Sequence, residues 1–236
     1  MNKWIKYLHS GVEGLLLPPV CLLCGAPGSS EPRLRDLCPA CRQALPWAAG
    51  QCARCALPLH TSAALCGRCQ TQPLAFERCL APFVYQAPLD HLLHGLKFHG
   101  RLAQARLLGE VMASWLGEVV DVLPERLIPV PLHASRLRQR GFNQAVELAR
   151  PIARRFGLSL ELDMVRRRRA TPPQSELSRQ ERQKNLKGAF EVLRPLAGRV
   201  VIVDDVMTTG STAHELARSL LNAGAAQVEV WVCARA

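Results

Sequence analysis

The sequence predicts an α/β protein with a mostly parallel sheet, preceded by a small cysteine-rich module. Three observations carry this expectation. Strand-like and helix-like runs alternate from residue 79 to residue 236, the order that builds a parallel sheet covered by helices. Eight of the ten cysteines fall in four Cys-x-x-Cys pairs between Cys21 and Cys69. The 236 residues amount to roughly 1.6 domains of average size, which fits one full domain plus a small module.

The elements follow in order. Residues 1–19 form an amphipathic lead-in, with Trp4, Ile5, Leu8 and Val12 at helical spacing. Residues 20–78 are rich in Cys, Pro and Gly, too loop-like to hold together by core burial alone. In the third region, residues 79–236, a strand is expected over Leu80–Tyr85, followed by helices over Pro88–Lys97 and Leu102–Leu116. A short strand over Leu127–Pro131 leads into a basic stretch. A helix over Asn143–Phe156 places Ala145, Leu148, Ala149 and Ile152 on one face. A strand over Leu158–Leu162 precedes a polar, charged loop over Arg166–Lys187. The continuous Val/Ile run from Arg199 to Val203 reads as a strand buried on both faces. A helix over Thr212–Ala223 is closed by Gly224, and a last strand covers Val228–Val232.

Hydrophobic residues make up 48% of the chain, which supports a packed core and excludes a mostly disordered protein. No apolar run approaches the roughly 18 residues a membrane helix needs. The stretch Leu15–Val20 is broken by Pro18 and Pro19 and is shorter than the about 7–15 residues of a signal-peptide core. A cytoplasmic protein without membrane insertion is therefore expected. In that reducing setting, metal is the expected use of paired cysteines.

Each Cys-x-x-Cys on a tight turn delivers two thiolates at once, and zinc takes four in a tetrahedron. Joining neighbours puts Cys21, Cys24, Cys38 and Cys41 on one ion and Cys52, Cys55, Cys66 and Cys69 on a second. A crossed pairing uses the same residues. Four thiolates leave no open position, so one or two structural Zn²⁺ sites are expected, not a catalytic one. His60 is not needed as a ligand. Cys79 and Cys233 stand alone and are expected as buried packing.

The net charge is +11. Between Arg126 and Lys187, 15 Lys and Arg face only 5 Asp and Glu. Such a surplus calls for an acidic partner, a polyphosphate metabolite or nucleic acid.

The stretch VVIVDDVMTTGST, residues 200–212, is the most informative. A buried strand runs into Asp204 and Asp205, then a turn of Thr208, Thr209, Gly210, Ser211 and Thr212, then a helix. Backbone N–H groups at such a turn form an anion site, and the hydroxyls add donors. The two carboxylates suit sugar hydroxyls. With neither a Walker A lysine nor a GxGxxG turn, nucleotide hydrolysis and dinucleotide binding are disfavoured.

This stretch resembles the motif of type I phosphoribosyltransferases that binds 5-phosphoribosyl 1-diphosphate (PRPP). The resemblance implies a sheet of that kind, preceded by the cysteine module, which is expected to be double zinc-ribbon-like. It also implies that Asp204 and Asp205 hold the ribose 2′- and 3′-hydroxyls and that Met207, Thr208, Thr209, Gly210, Ser211 and Thr212 hold the 5-phosphate. Over nearly the whole chain the sequence is similar to the ComF family (ComFC- and GntX-like proteins). The similarity includes the Cys-x-x-Cys pairs, LKFHGR (Leu96–Arg101), VPLHASRLRQRGFNQA (Val130–Ala145) and RRATPPQSELSRQERQKNLKGAF (Arg168–Phe190).

That family is linked to competence and the uptake of transforming single-stranded DNA. Single-stranded DNA, a competence helicase and DNA-processing proteins are therefore implied partners. The resemblance further implies a pyrophosphate contact by Arg136, Arg138 and Arg140, and Mg²⁺ bound with PRPP. Residues 166–187 then correspond to a catalytic loop carrying Arg179, Arg182 and Lys184. His133, beside the proposed pyrophosphate segment, is a further candidate. The alternatives are a DNA- or partner-binding factor that keeps the phosphate pocket without transfer, and a PRPP-sensing regulator. Aromatic residues make up only 5% of the chain, so contact with DNA is expected along its phosphates.

Overall fold

A computed structural model describes residues 18–61, 63–169 and 187–236. The chain divides into two compact units between Leu45 and Pro46. In the small unit, Val20 and Pro27 pair across an antiparallel bridge. Gly25 turns the chain there with φ 74, a conformation glycine adopts without steric cost. Helix α1 (Pro39–Gln43) starts with Cys38 as its cap and a proline in its first turn. Leu34, Leu37 and Leu45, on either side of the helix, are buried.

The large unit holds α2 (Gly67–Thr71), β1 (Cys79–Leu80), β2 (Phe83–Val84), α3 (Leu89–His99), α4 (Leu102–Val119) and β3 (Arg126–Pro129). Then come α5 (Ala134–Arg140), α6 (Gln144–Phe156), β4 (Ser159–Leu160), β5 (Val165–Arg167) and β6 (Phe190–Val192). The chain ends with β7 (Arg199–Met207), α7 (Ser211–Asn222) and β8 (Gln227–Arg235).

The main sheet is parallel throughout, in the order β1–β8–β7–β3–β4, with β2 pairing a later stretch of β8. Val200, Val201, Ile202 and Val203 are all buried, because helices cover both faces of the central strand. The predicted apolar face of α6 (Ala145, Leu148, Ala149 and Ile152) is fully buried. Helix α4 approaches it closely at Gly109, where an added Cβ would lie 2.7 Å from the Leu148 carbonyl oxygen. Among the described residues, no helix is long and apolar enough to cross a membrane.

The fold class is as predicted, and several local features differ: the strand expected over Leu80–Tyr85 is split into β1 and β2, and the last strand runs on to Arg235. The basic stretch after β3 contains helix α5, capped by His133. Arg166 and Arg167 belong to a strand, β5, which pairs antiparallel with β6, where a loop was expected. Strand β7 runs four residues beyond Val203, because β8 keeps pairing with it as far as Met207 and Arg235.

Candidate functional site

The site arises from unequal strand lengths. Strand β3 stops at Pro129, opposite Val203, whereas β7 continues to Met207 alongside β8. On its β3 side the last turn of β7 is open. The strand order also reverses here: β4 lies beyond β3 and β8 beyond β7. Crevices at such switch points, outside the carboxyl ends of the strands, are where open α/β sheets bind ligands. A cavity of about 530 Å³ occupies this one. Asp204, Asp205 and every residue from Met207 to Thr212 line it.

The loop after β7 turns on Gly210, whose φ of 74 is left-handed. Helix α7 starts at the next residue, so its first amides face outward without intrahelical partners. The Thr209 and Ser211 hydroxyls lie 2.9 Å apart, and the Ser211 amide donates to Thr209 Oγ1 at 3.3 Å. This is a cradle for an anion: backbone donors, a helix N-terminus and clustered hydroxyls.

The two acids sit in different surroundings, since successive strand residues project to opposite faces. Asp205 is buried, with its Oδ2 2.5 Å from Lys97 Nζ of helix α3. Burial alone would lower the Lys97 pKa, but the charge of Asp205 and its hydrogen bond outweigh it and raise it instead. Asp204 is half-buried and lines the crevice. Burial, followed by the neighbouring negative charge of Asp205, holds its carboxyl well above the usual carboxylate range. Its Oδ1 accepts the Asp205 amide at 2.9 Å.

Of the other predicted residues, Arg136 and His133 line the cavity. His133 Nδ1 caps α5 by accepting the Ser135 amide at 3.3 Å. Arg140 Nη1 donates to Gln144 Oε1 at 2.5 Å. Arg138 is exposed on α5, and neither it nor Arg140 is among the lining residues. Arg179, Arg182 and Lys184 lie outside the described residues. The structure adds Lys97, Tyr85 and Arg167 to the lining. Burial lowers the Arg167 pKa against the opposing pull of Asp204, and its guanidinium lies 5.6 Å from the centre of the Phe190 ring.

The eight paired cysteines form two clusters of sequence neighbours, each with its sulfurs within 4.8 Å of one another. The crossed pairing is not adopted. Sulfur–sulfur distances are 3.7 Å for Cys24–Cys38 and 3.6 Å for Cys55–Cys66. These are too long for disulfides and match the edge, about 3.8 Å, of a tetrahedron with metal–sulfur bonds near 2.3 Å. The Cys41 amide donates to Cys38 Sγ, and the Cys66 amide to Cys52 Sγ. Burial opposes ionisation of Cys21 and Cys52, but backbone amides of the knuckles outweigh it and bring both thiols down to about 6. The donor set fits structural zinc. Cys79 and Cys233 are buried, as expected, Cys79 in the same apolar cluster as the second four thiols, and burial pushes both thiols up.

Two family models match the chain, a double zinc ribbon domain over residues 12–70 and a phosphoribosyl transferase domain over residues 143–236. Among solved structures, UMP synthase of Leishmania donovani is similar at 22% identity and a TM-score of 0.35, covering 60% of this chain and 24% of that one. DNA utilization protein YhgH of Escherichia coli K12 is 41% identical over 172 residues, covering 70% of this chain and 74% of the relative. Competence protein F of Haemophilus influenzae is 34% identical over 160 residues, covering 64% and 70%. Competence protein ComFC of Streptococcus pneumoniae is 26% identical over 156 residues, covering 66% and 67%. Relatives 41% identical over 70% of this chain, together with the competence proteins, make it a member of the ComF family.

Proposed function

We propose that this chain is a cytoplasmic phosphoribosyltransferase-like protein that binds Mg·PRPP and acts in the handling of transforming single-stranded DNA. The observation that carries the reading is the cavity at the switch point, where two acids stand beside a hydroxyl-rich helix N-terminus. Residues 207–212 hold the 5-phosphate through backbone N–H groups and hydroxyls. Asp204 and Asp205 accept hydrogen bonds from the ribose 2′- and 3′-hydroxyls, with Lys97 fixing the Asp205 carboxylate. Mg²⁺ bound with PRPP would neutralise the diphosphate, and Arg136 adds a cation to the cavity lining.

In the transfer step a nucleophile on the acceptor bonds to C1 of the ribose. The C1–O bond breaks, and its electron pair leaves with the diphosphate. Cations at the leaving group stabilise the charge gathering there. The DNA setting is supported by the names of the relatives and by the basic surplus between residues 126 and 187.

Calorimetric titration with Mg·PRPP tests the pocket. The wild-type chain is expected to bind, and the Asp204→Asn/Asp205→Asn double variant to lose binding. Unchanged binding in that variant would remove the site assignment.

A second reading is a binding factor that keeps the pocket without transfer. The exposed position of Arg138, away from the cavity lining, favours a contact along a phosphate backbone. Pyrophosphate release in the presence of acceptors marks transfer. Salt-dependent DNA affinity that falls in an Arg136→Ala/Arg138→Ala/Arg140→Ala variant marks the binding factor.

A further inference from the structure

The second cysteine cluster lies beneath the loop that follows β7, and the two are joined at three points. Arg68, between Cys66 and Cys69, donates Nη1 to the Thr209 carbonyl. Arg235, buried at the end of β8, donates Nε to the Cys55 carbonyl and Nη1 to the Met207 carbonyl, both at 2.9 Å. The Ala75 amide donates to Nδ1 of His214, in the first turn of α7, at 3.0 Å. Cys52, Cys55, Cys66 and Cys69 also share one apolar cluster with Met207, Ala213 and Leu216.

In a trans peptide the carbonyl and the following N–H point in opposite directions. By holding the Thr209 oxygen, Arg68 turns the Gly210 N–H to the side away from the cysteine cluster. Glycine tolerates either orientation of that peptide, so something outside the loop must select one. Arg68 is itself placed by α2, a five-residue helix whose one buried side chain is Cys69. A helix that short does not hold itself in water. Its position comes from the thiolates at Cys66 and Cys69 and from the Cys66 amide on Cys52 Sγ.

We propose that the cluster of Cys52, Cys55, Cys66 and Cys69 sets the conformation of the anion loop, with Arg68 as the positioning residue between them. The effect on ligand affinity rests on reading residues 207–212 as a phosphate cradle. The coupling itself does not.

Hydrogen exchange on the zinc-loaded full chain tests the coupling without a ligand. In Arg68→Ala, the amides of Ser211 and His214, which donate to Thr209 Oγ1 and to the Gly210 carbonyl, should exchange roughly tenfold faster, as expected for losing one charge-assisted hydrogen bond. Zinc content and protection of β3 and β7 should be unchanged. Arg68→Lys, which keeps one donor, should restore most of the protection, so a general loss of folding cannot mimic the result. Mg·PRPP affinity should fall in Arg68→Ala and recover in Arg68→Lys. Loop exchange in Arg68→Ala that matches the wild type, at full zinc content, overturns the proposal. Faster loop exchange in a chain whose wild type binds no PRPP would instead overturn the phosphate reading and leave the coupling standing.

Discussion

The two cysteine clusters have the same ligands, yet the surroundings of each give it a different task. In the small unit Cys24 is exposed and Cys41 half-buried, and among the described residues Leu34, Leu37 and Leu45 are their buried apolar companions. In the large unit all four thiols are buried within the cluster that includes Phe76, Met207 and Leu216. A unit as small as the first buries too little apolar surface to hold by itself, so metal binding there supplies its folding energy. The second cluster is part of the core under the candidate site. The spacing of a metal motif thus reports the ligand set, and the burial of the thiols reports what depends on it.

The largest expected effect separates the two directly. Cys52→Ser should abolish the cooperative melting of the large unit, because a structural zinc worth about 10–16 kcal/mol rivals the whole stability of a domain. Cys24→Ser should lower zinc content and expose the small unit to protease, while the main melting transition persists. Equal damage from both substitutions, read by calorimetry and zinc analysis, would break the comparison.

Core truncations sharpen it. Phe76→Ala, at a site 1% exposed, should cost the large unit about 3–5 kcal/mol in denaturant unfolding. Leu37→Ala, equally buried, should register as faster proteolysis of the small unit, with little change in that unfolding curve.

The smallest effect concerns the protonated Asp204 of the cavity. Asp204 holds its proton more tightly folded than unfolded. The native state therefore loses stability as pH rises from the ordinary carboxylate range through the raised pKa. Asp204→Asn removes that loss. It should melt a few degrees above the wild type at pH 8, with the gain shrinking toward pH 5. A gain that grows toward pH 5 would reverse the sign.

Contiguity decided what could be read from the sequence. Strand, acids, hydroxyl turn and helix follow one another between Val200 and Ala223, and the cysteine pairs announce themselves by spacing. Lys97 lies 108 residues from the Asp205 it pairs with, and Arg68 lies 141 from Thr209. No local pattern marks such partners, since only the sheet order brings them together. Helix α5 was hidden because HASRLRQR has no apolar stripe, and none of its residues is buried. Arg167 was hidden in an arginine run that reads as solvated, although pairing in β5 aims it into the cavity.

Asn143 has a wider consequence. Its Nδ2 donates to the Val130 carbonyl at 3.0 Å, and its Oδ1 accepts the Ala145 amide at 3.0 Å. One side chain therefore clasps the end of β3 to the start of α6 and closes residues 131–142 at their base. Everything between the clasped ends is a cassette. Its length and charge can be exchanged by grafting while the sheet and α6 keep their places, and the basic edge of the cavity is the part a designer can rewrite.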